Sequence, residues 1–110
     1  MKKKRFSTKW SDGAEADLEA IIRYIARDSV VRAIAVNERI YEAVDSLCEH
    51  PNRGRVLPEL EECGLAEFRE IIVGPHRVIY RHENKQVVVI AVIDGRRNVR
   101  EQLFDILLRS

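Results

Sequence analysis

The sequence predicts an α+β domain in which an N-terminal helical hairpin packs on a small antiparallel sheet, in the order β-α-α-β-β-β-α. Three observations predict it. Two stretches carry apolar residues at helical spacing and are split by a short polar break. Between Phe68 and Arg97, three apolar runs are separated by turns too short for a parallel crossover, which needs a dozen residues or more. A final amphipathic stretch supplies the last helix.

Phe6 to Trp10 alternates apolar and polar positions and reads as a short edge strand. Asp12 is placed to cap the first helix, with Glu15 three residues on to close a capping box. Leu18, Ile21, Ile22 and Ile25 then form one apolar stripe, and Asp28-Ser29 interrupts it. The second helix runs from about Val30 to Glu49, its stripe carried by Ala33, Ile34, Asn37, Ile40, Tyr41, Val44 and Leu47. Pro51 forces its end. Asn52 to Gly64, with Pro58, reads as a loop with little regular structure. Arg69 opens the first apolar run, Arg77 the second, and Arg96-Arg97 close the third, Val87 to Ile93. Gly74-Pro75 and Glu83-Asn84-Lys85 supply the turns, because Pro presets φ and Asn tolerates the left-handed region. The third run is unbroken and rich in β-branched residues, as expected of a strand covered on both faces. Asn98 to Leu108 carries Val99, Leu103, Ile106 and Leu107 on one side and closes the chain as a helix.

The 110 residues form one domain, large enough for a core without disulfides or metals. Net charge is +1, and the two sides of Asn52 are alike: nine basic and nine acidic residues before it, ten and nine after. Affinity for an anion must therefore come from a local patch. Cys48 and Cys63 lack metal-ligand spacing and read as reduced thiols. No apolar stretch of about 18 residues is present to span a membrane. The basic run Met1–Arg5 is followed by no apolar signal region, and it reads as a flexible, solvated tail. A cytoplasmic location without cofactor or metal is expected.

The familiar catalytic constellations are missing: no glycine-rich phosphate loop, no paired His on a metalloprotease helix, no Ser nucleophile elbow. His50 sits at a helix C-terminus, His82 flanks a turn, and His76 precedes Arg77, where a general-acid role is open. The arginines carry more. A guanidinium keeps its proton and clamps phosphate or carboxylate in a bidentate geometry. Arg69, Arg77, Arg96 and Arg97 gather at strand ends, with Glu67, Glu70, Asp94 and Glu101 as possible surface partners.

These residues also carry a resemblance. Ala14-x-x-Asp17-Leu18-x-x-Ile21 comes first, then Pro51-x-x-Gly54-Arg55-x-x-Pro58-Glu59-Leu60 and Phe68-Arg69-Glu70-Ile71 with Val73-Gly74. Arg77-Val78-Ile79-Tyr80 and Gly95-Arg96-Arg97 follow in order. Together they resemble the RelE/ParE superfamily of bacterial toxins over nearly the whole chain. The resemblance implies a β-α-α-β-β-β core. It also implies a type II toxin–antitoxin module of the kind tied to plasmid stabilisation, in which a small antitoxin wraps and neutralises the toxin. RelE-like members cut messenger RNA in the ribosome, aligning phosphates with Arg and Lys and commonly using a Tyr on the last helix. Arg77 and Arg97 match the superfamily's strand arginines and Arg69 does so more loosely; these three are the catalytic candidates for a ribonuclease. The Tyr position falls near Leu103, with Phe104 beside it, and neither has a proton to give.

The long hairpin and the Pro-Glu-Leu loop resemble the ParE branch, whose members poison DNA gyrase. The expectation is thus a gyrase inhibitor rather than an enzyme. Arg77, Arg96 and Arg97 would meet the target, and a cognate antitoxin would hold the chain in a hetero-oligomer. No membrane and no sequence-specific DNA binding by the toxin alone are expected. The alternatives are a ribosome-dependent endoribonuclease and a non-toxic remnant that only grips its antitoxin.

Overall fold

The computed structural model describes residues 6–109; the expected basic tail, residues 1–5, lies outside them. Along the chain run β1 (Ser7–Trp10), α1 (Asp12–Ala26), α2 (Val30–Ser46), β2 (Arg55–Val56) and α3 (Pro58–Glu61). Then come β3 (Arg69–Val73), β4 (His76–Glu83), β5 (Gln86–Asp94) and α4 (Val99–Arg109). The expected order is kept, with β2 and α3 added inside the Asn52–Gly64 segment. That segment has more structure than its turn residues suggested. Pro58 presets φ for the first turn of α3, and Arg55 and Val56 find partners in Glu70 and Arg69 on β3.

The sheet has five strands in the order β1-β5-β4-β3-β2. β3, β4 and β5 are antiparallel neighbours as expected. The sheet as a whole is mixed rather than antiparallel, because β1 joins β5 in parallel, Ser7 opposite Gln86 through Trp10 opposite Val89. A strand that reaches its partner only through the whole intervening fold leaves no turn signal from which to read direction. The two hairpin turns are as short as predicted. Gly74 has φ +60°, the conformation that the first position of a type II′ turn requires. Asn84 and Lys85 both have positive φ, 50° and 59°, as a type I′ turn requires.

Ser11, not Asp12, caps α1: its hydroxyl accepts from Ala14 N at 3.1 Å and donates to the Ile90 carbonyl at 3.1 Å. A serine that satisfies both the helix end and a strand carbonyl outcompetes the neighbouring carboxylate. Ser29 caps α2 in the same way, and α2 stops at Ser46, short of the expected Glu49. Against one face of the sheet, Ala14, Leu18, Ile40 and Val44 of the hairpin meet Val78, Val89 and Val92. Against the other, Leu57 and Leu60 around α3 and Leu103 and Ile106 of α4 meet Ile79, Ala91 and Ile93. The central strand β5 is thereby covered on both sides. Of the predicted stripes, Ile34, Tyr41 and Leu107 stay exposed, since each stripe is wider than the face it buries.

Candidate functional site

Arg77 barely reaches the surface. On a central strand, an inward-facing cation must be neutralised or unfold the site, and Glu59 and Glu70 are there to do it. The Arg77 Nε lies 3.0 Å from Glu70 Oε1, and its terminal nitrogens donate to Glu59 Oε2 at 3.3 and 3.5 Å. The Arg77 side chain is 12% exposed and that of Glu70 0%. Arg55 reaches the other oxygen of Glu70 with its Nε at 2.6 Å. Geometry across this cluster is imperfect. Glu59 Oε1 and Glu70 Oε1 are buried without a hydrogen bond, so Arg77 meets Glu70 Oε1 as a charge contact with its N–H aimed elsewhere.

Beyond the end of β5, Arg96 and Arg97 sit in the exposed turn that leads into α4. Asp94 organises it: its carboxylate accepts from Arg96 N at 2.9 Å and from the Arg96 Nε and Nη2, each at 3.1 Å. The Arg96 guanidinium in turn holds the Asp94 carboxyl below its usual range. Gly95 N donates to the Pro75 carbonyl at 2.8 Å, and Arg97 N to the Asp94 carbonyl at 3.2 Å. The Arg97 guanidinium has no partner among the described residues. Asn98 caps α4 through Glu101 N at 3.0 Å, and Gln102 ties α4 back to the Asp94 main chain on both its N–H and its carbonyl.

The expected arginine gathering is therefore split. Arg69 pairs with Tyr80 across the β3–β4 ladder and Arg77 with Ile72. They stand three residues apart along β3, or about 10 Å. Arg69 faces the Asn52–Gly54 loop and donates to the Gly54 carbonyl at 2.8 Å. Tyr80 is wholly buried below this loop, its hydroxyl donating to the Pro51 carbonyl at 2.7 Å and accepting from Gly54 N at 2.9 Å. Burial pushes its pKa up, against the Gly54 hydrogen bond and the nearby Arg69 and Arg53 charges. Arg69 and Tyr80 thus build a loop and lie apart from the Arg96-Arg97 turn.

His76 is buried beside Asp94, and burial lowers its pKa against the pull of Asp94 and with the push of Arg96. His82 packs edge-on to Phe6 and lies 2.8 Å from Asn52 Oδ1. Leu103 is buried, while Phe104 is 61% exposed. Cys48 is buried and Cys63 exposed, and neither is in a disulfide. Among the described residues no cluster of His, Cys, Asp or Glu could hold a metal, and no helix is long and apolar enough to cross a membrane.

Two features escaped the sequence reading. Glu70 as a buried anion was visible only as a charged residue at an inward strand position beside Arg69. The other is a clasp over the outer edge of β5. The register passes from Ile79 opposite Ala91 to Tyr80 opposite Val89, leaving Ile90 as an extra residue in a bulge. Beyond the end of β1, the Ile90 carbonyl accepts from Arg109, Val92 N donates to Asp17, and Arg109 grips both oxygens of Asp17 at 3.0 and 2.8 Å. Gly13 leaves the room, since a side chain there would lie 2.8 Å from the Arg109 guanidinium.

The sequence model of a family described as "ParE toxin of type II toxin-antitoxin system, parDE" matches residues 8–99. The chain is 40% identical over 70 residues to Toxin RelE2 of Caulobacter vibrioides, covering 64% of this chain and 72% of that protein. It is 33% identical over 88 residues to Toxin ParE3 of the same organism, covering 79% and 84%. Among solved structures, a chain of the chromosomal ParDE system of P. aeruginosa superposes with a TM-score of 0.67 at 23% identity, covering 84% of this chain and 98% of that one. A chain of the RelBE2 toxin-antitoxin complex of Mycobacterium tuberculosis does so with 0.55 at 22% identity, covering 82% and 98%. At such identities the two structures establish a shared fold.

Proposed function

The chain belongs to the ParE toxin family of type II toxin–antitoxin systems, and on that premise we propose that it stops growth by binding DNA gyrase through the Arg96-Arg97 turn. A small antitoxin encoded with it neutralises it, and the antitoxin-bound structural neighbours support that partner. Arg97 presents an unengaged, bidentate donor set to a carboxylate or phosphate of the target, and Arg96 stands beside it on the fixed carboxylate of Asp94.

One observation carries the choice of target: α4 carries no tyrosine at the position RelE-like members commonly use, and of the other proton-bearing groups near Arg96, His76 is buried and Tyr24 lies on α1. Cutting RNA calls for a proton donor or acceptor within hydrogen-bond reach of the scissile phosphate, worth about 10²–10⁴ in rate. The Tyr80 hydroxyl is buried and holds two main-chain groups. Leu103 and Phe104 stand where a helix tyrosine would be. The 40% identity to Toxin RelE2 favours the second reading, a ribosome-dependent endoribonuclease. Incubating the purified protein with gyrase and plasmid DNA, and separately with translating ribosomes, separates the two. Loss of supercoiling with intact messages supports gyrase, whereas codon-positioned cuts in ribosome-bound messages establish the nuclease.

A further inference from the structure

We propose that Arg77 is a positioning residue: a buried cation that sets the direction in which the Arg96-Arg97 turn presents its guanidiniums, without touching the target itself. The proposal rests on the reading of that turn as the gyrase contact.

Two facts keep Arg77 from the target. It is 12% exposed, and its head group is shared between Glu59 and the fully buried Glu70. Withdrawing it to meet a ligand would leave carboxylates buried and uncompensated, a change that proteins tolerate poorly. Its stem, however, lies against the turn. A Cβ built on Gly95 would sit 3.4 Å from Arg77 Cγ, 3.6 Å from its Cδ and 3.3 Å from the Pro75 carbonyl. The Arg77 methylenes and the Pro75 carbonyl therefore form the floor on which Gly95 rests, and Gly95 N is bonded to that same carbonyl. From Gly95 the chain continues directly to Arg96 and Arg97. The head group also holds α3 through Glu59, so a single side chain fixes the turn relative to both the sheet and the α3 loop. A lysine keeps the charge between the two carboxylates but cannot span both with one planar fork.

Trypsin cleaves after arginine, so its action at Arg96 and Arg97 reports the order of the turn independently of any target. The experiment compares the parent protein with Arg77→Lys and Gly95→Ala. It measures cleavage at those two bonds, thermal midpoint and binding to purified gyrase. Expected for both variants is cleavage several-fold faster at a folded midpoint close to the parent's, with gyrase binding weakened by roughly tenfold, since displaced contact groups lose their alignment. Should Arg77→Lys fail to fold, Gly95→Ala decides, because it disturbs the floor and leaves the buried charges in place. Cleavage at the parental rate in the folded variants overturns the proposal. So does weaker binding by Arg77→Lys with an unaltered turn, which would make Arg77 a direct contact. Faster cleavage in a protein whose parent never binds gyrase upholds the positioning role and sinks the gyrase reading instead.

Discussion

Arg77, on β4, packs its stem beneath the turn that carries Arg97, and both end in the same guanidinium, yet the fold uses them in opposite ways. Arg77 has given up most of its water and gained Glu59 and Glu70. Arg97 keeps its water, and its side chain has no partner among the described residues. Because a buried ion must be compensated where it lies, the donors of Arg77 are already committed. An exposed ion carries no such requirement, and exposed pairs are worth little. The donors of Arg97 are therefore free for a partner outside the chain. Position in the sheet decides this difference, not residue type or strand-end location.

The comparison breaks most readily at Arg77. Replacing it with Met should destabilise the protein by about 3–5 kcal/mol, the usual cost of orphaning a buried carboxylate, whereas Arg97→Ala should leave the urea midpoint unchanged. Equal effects of the two substitutions would erase the distinction. At the far end of β3 the commitment is to main chain instead of carboxylates. There Gly54→Ala places a Cβ 2.6 Å from both the Glu70 carbonyl and the Tyr80 hydroxyl. A loss of about 3 kcal/mol in chemical denaturation is expected, from overpacking and a displaced buried hydrogen bond. Lys85→Gly lies away from both arginines and supplies the opposite sign. Relieving a non-glycine residue at φ 59° should raise stability by about 1 kcal/mol without altering growth arrest.

The smallest effect concerns His76, which supports the turn through Asp94. Burial depresses its pKa below 6.5. In the window between that value and its folded pKa, the unfolded chain binds a proton that the folded chain refuses. Stability is then complete above pH 6.5 and declines as the pH falls below it. Thermal midpoints of the parent and of His76→Gln across this range should diverge toward the parent's lower values at acid pH; parallel curves would deny the effect.

Much of this fold is legible in local patterns. The two hairpin stripes, the Gly74-Pro75 and Asn84-Lys85 turns and the buried run Val87 to Ile93 each declare themselves within a few residues. What stayed hidden depends on partners distant in sequence. The parallel pairing of β1 joins Ser7 to Gln86, and the β5 clasp joins Asp17 to Arg109. Ser11 won the α1 cap partly by bonding Ile90. For the site, residue type identified the arginines but could not tell which were spent. Arg69 is engaged by a loop carbonyl, Arg77 by Glu59 and Glu70, and Arg96 by Asp94. Only geometry leaves Arg97 open.

Contact between the Arg96-Arg97 turn and gyrase is the step on which the proposed function depends. It is tested most directly by titrating gyrase supercoiling with the parent protein and with Arg97→Ala, with thermal midpoints measured on the same samples. The parent should inhibit supercoiling, and Arg97→Ala should be at least about tenfold weaker, a loss of about 1.4 kcal/mol, at an unchanged midpoint. Inhibition by Arg97→Ala equal to that of the parent, or a parent that leaves gyrase untouched while cutting ribosome-bound messages, would contradict it.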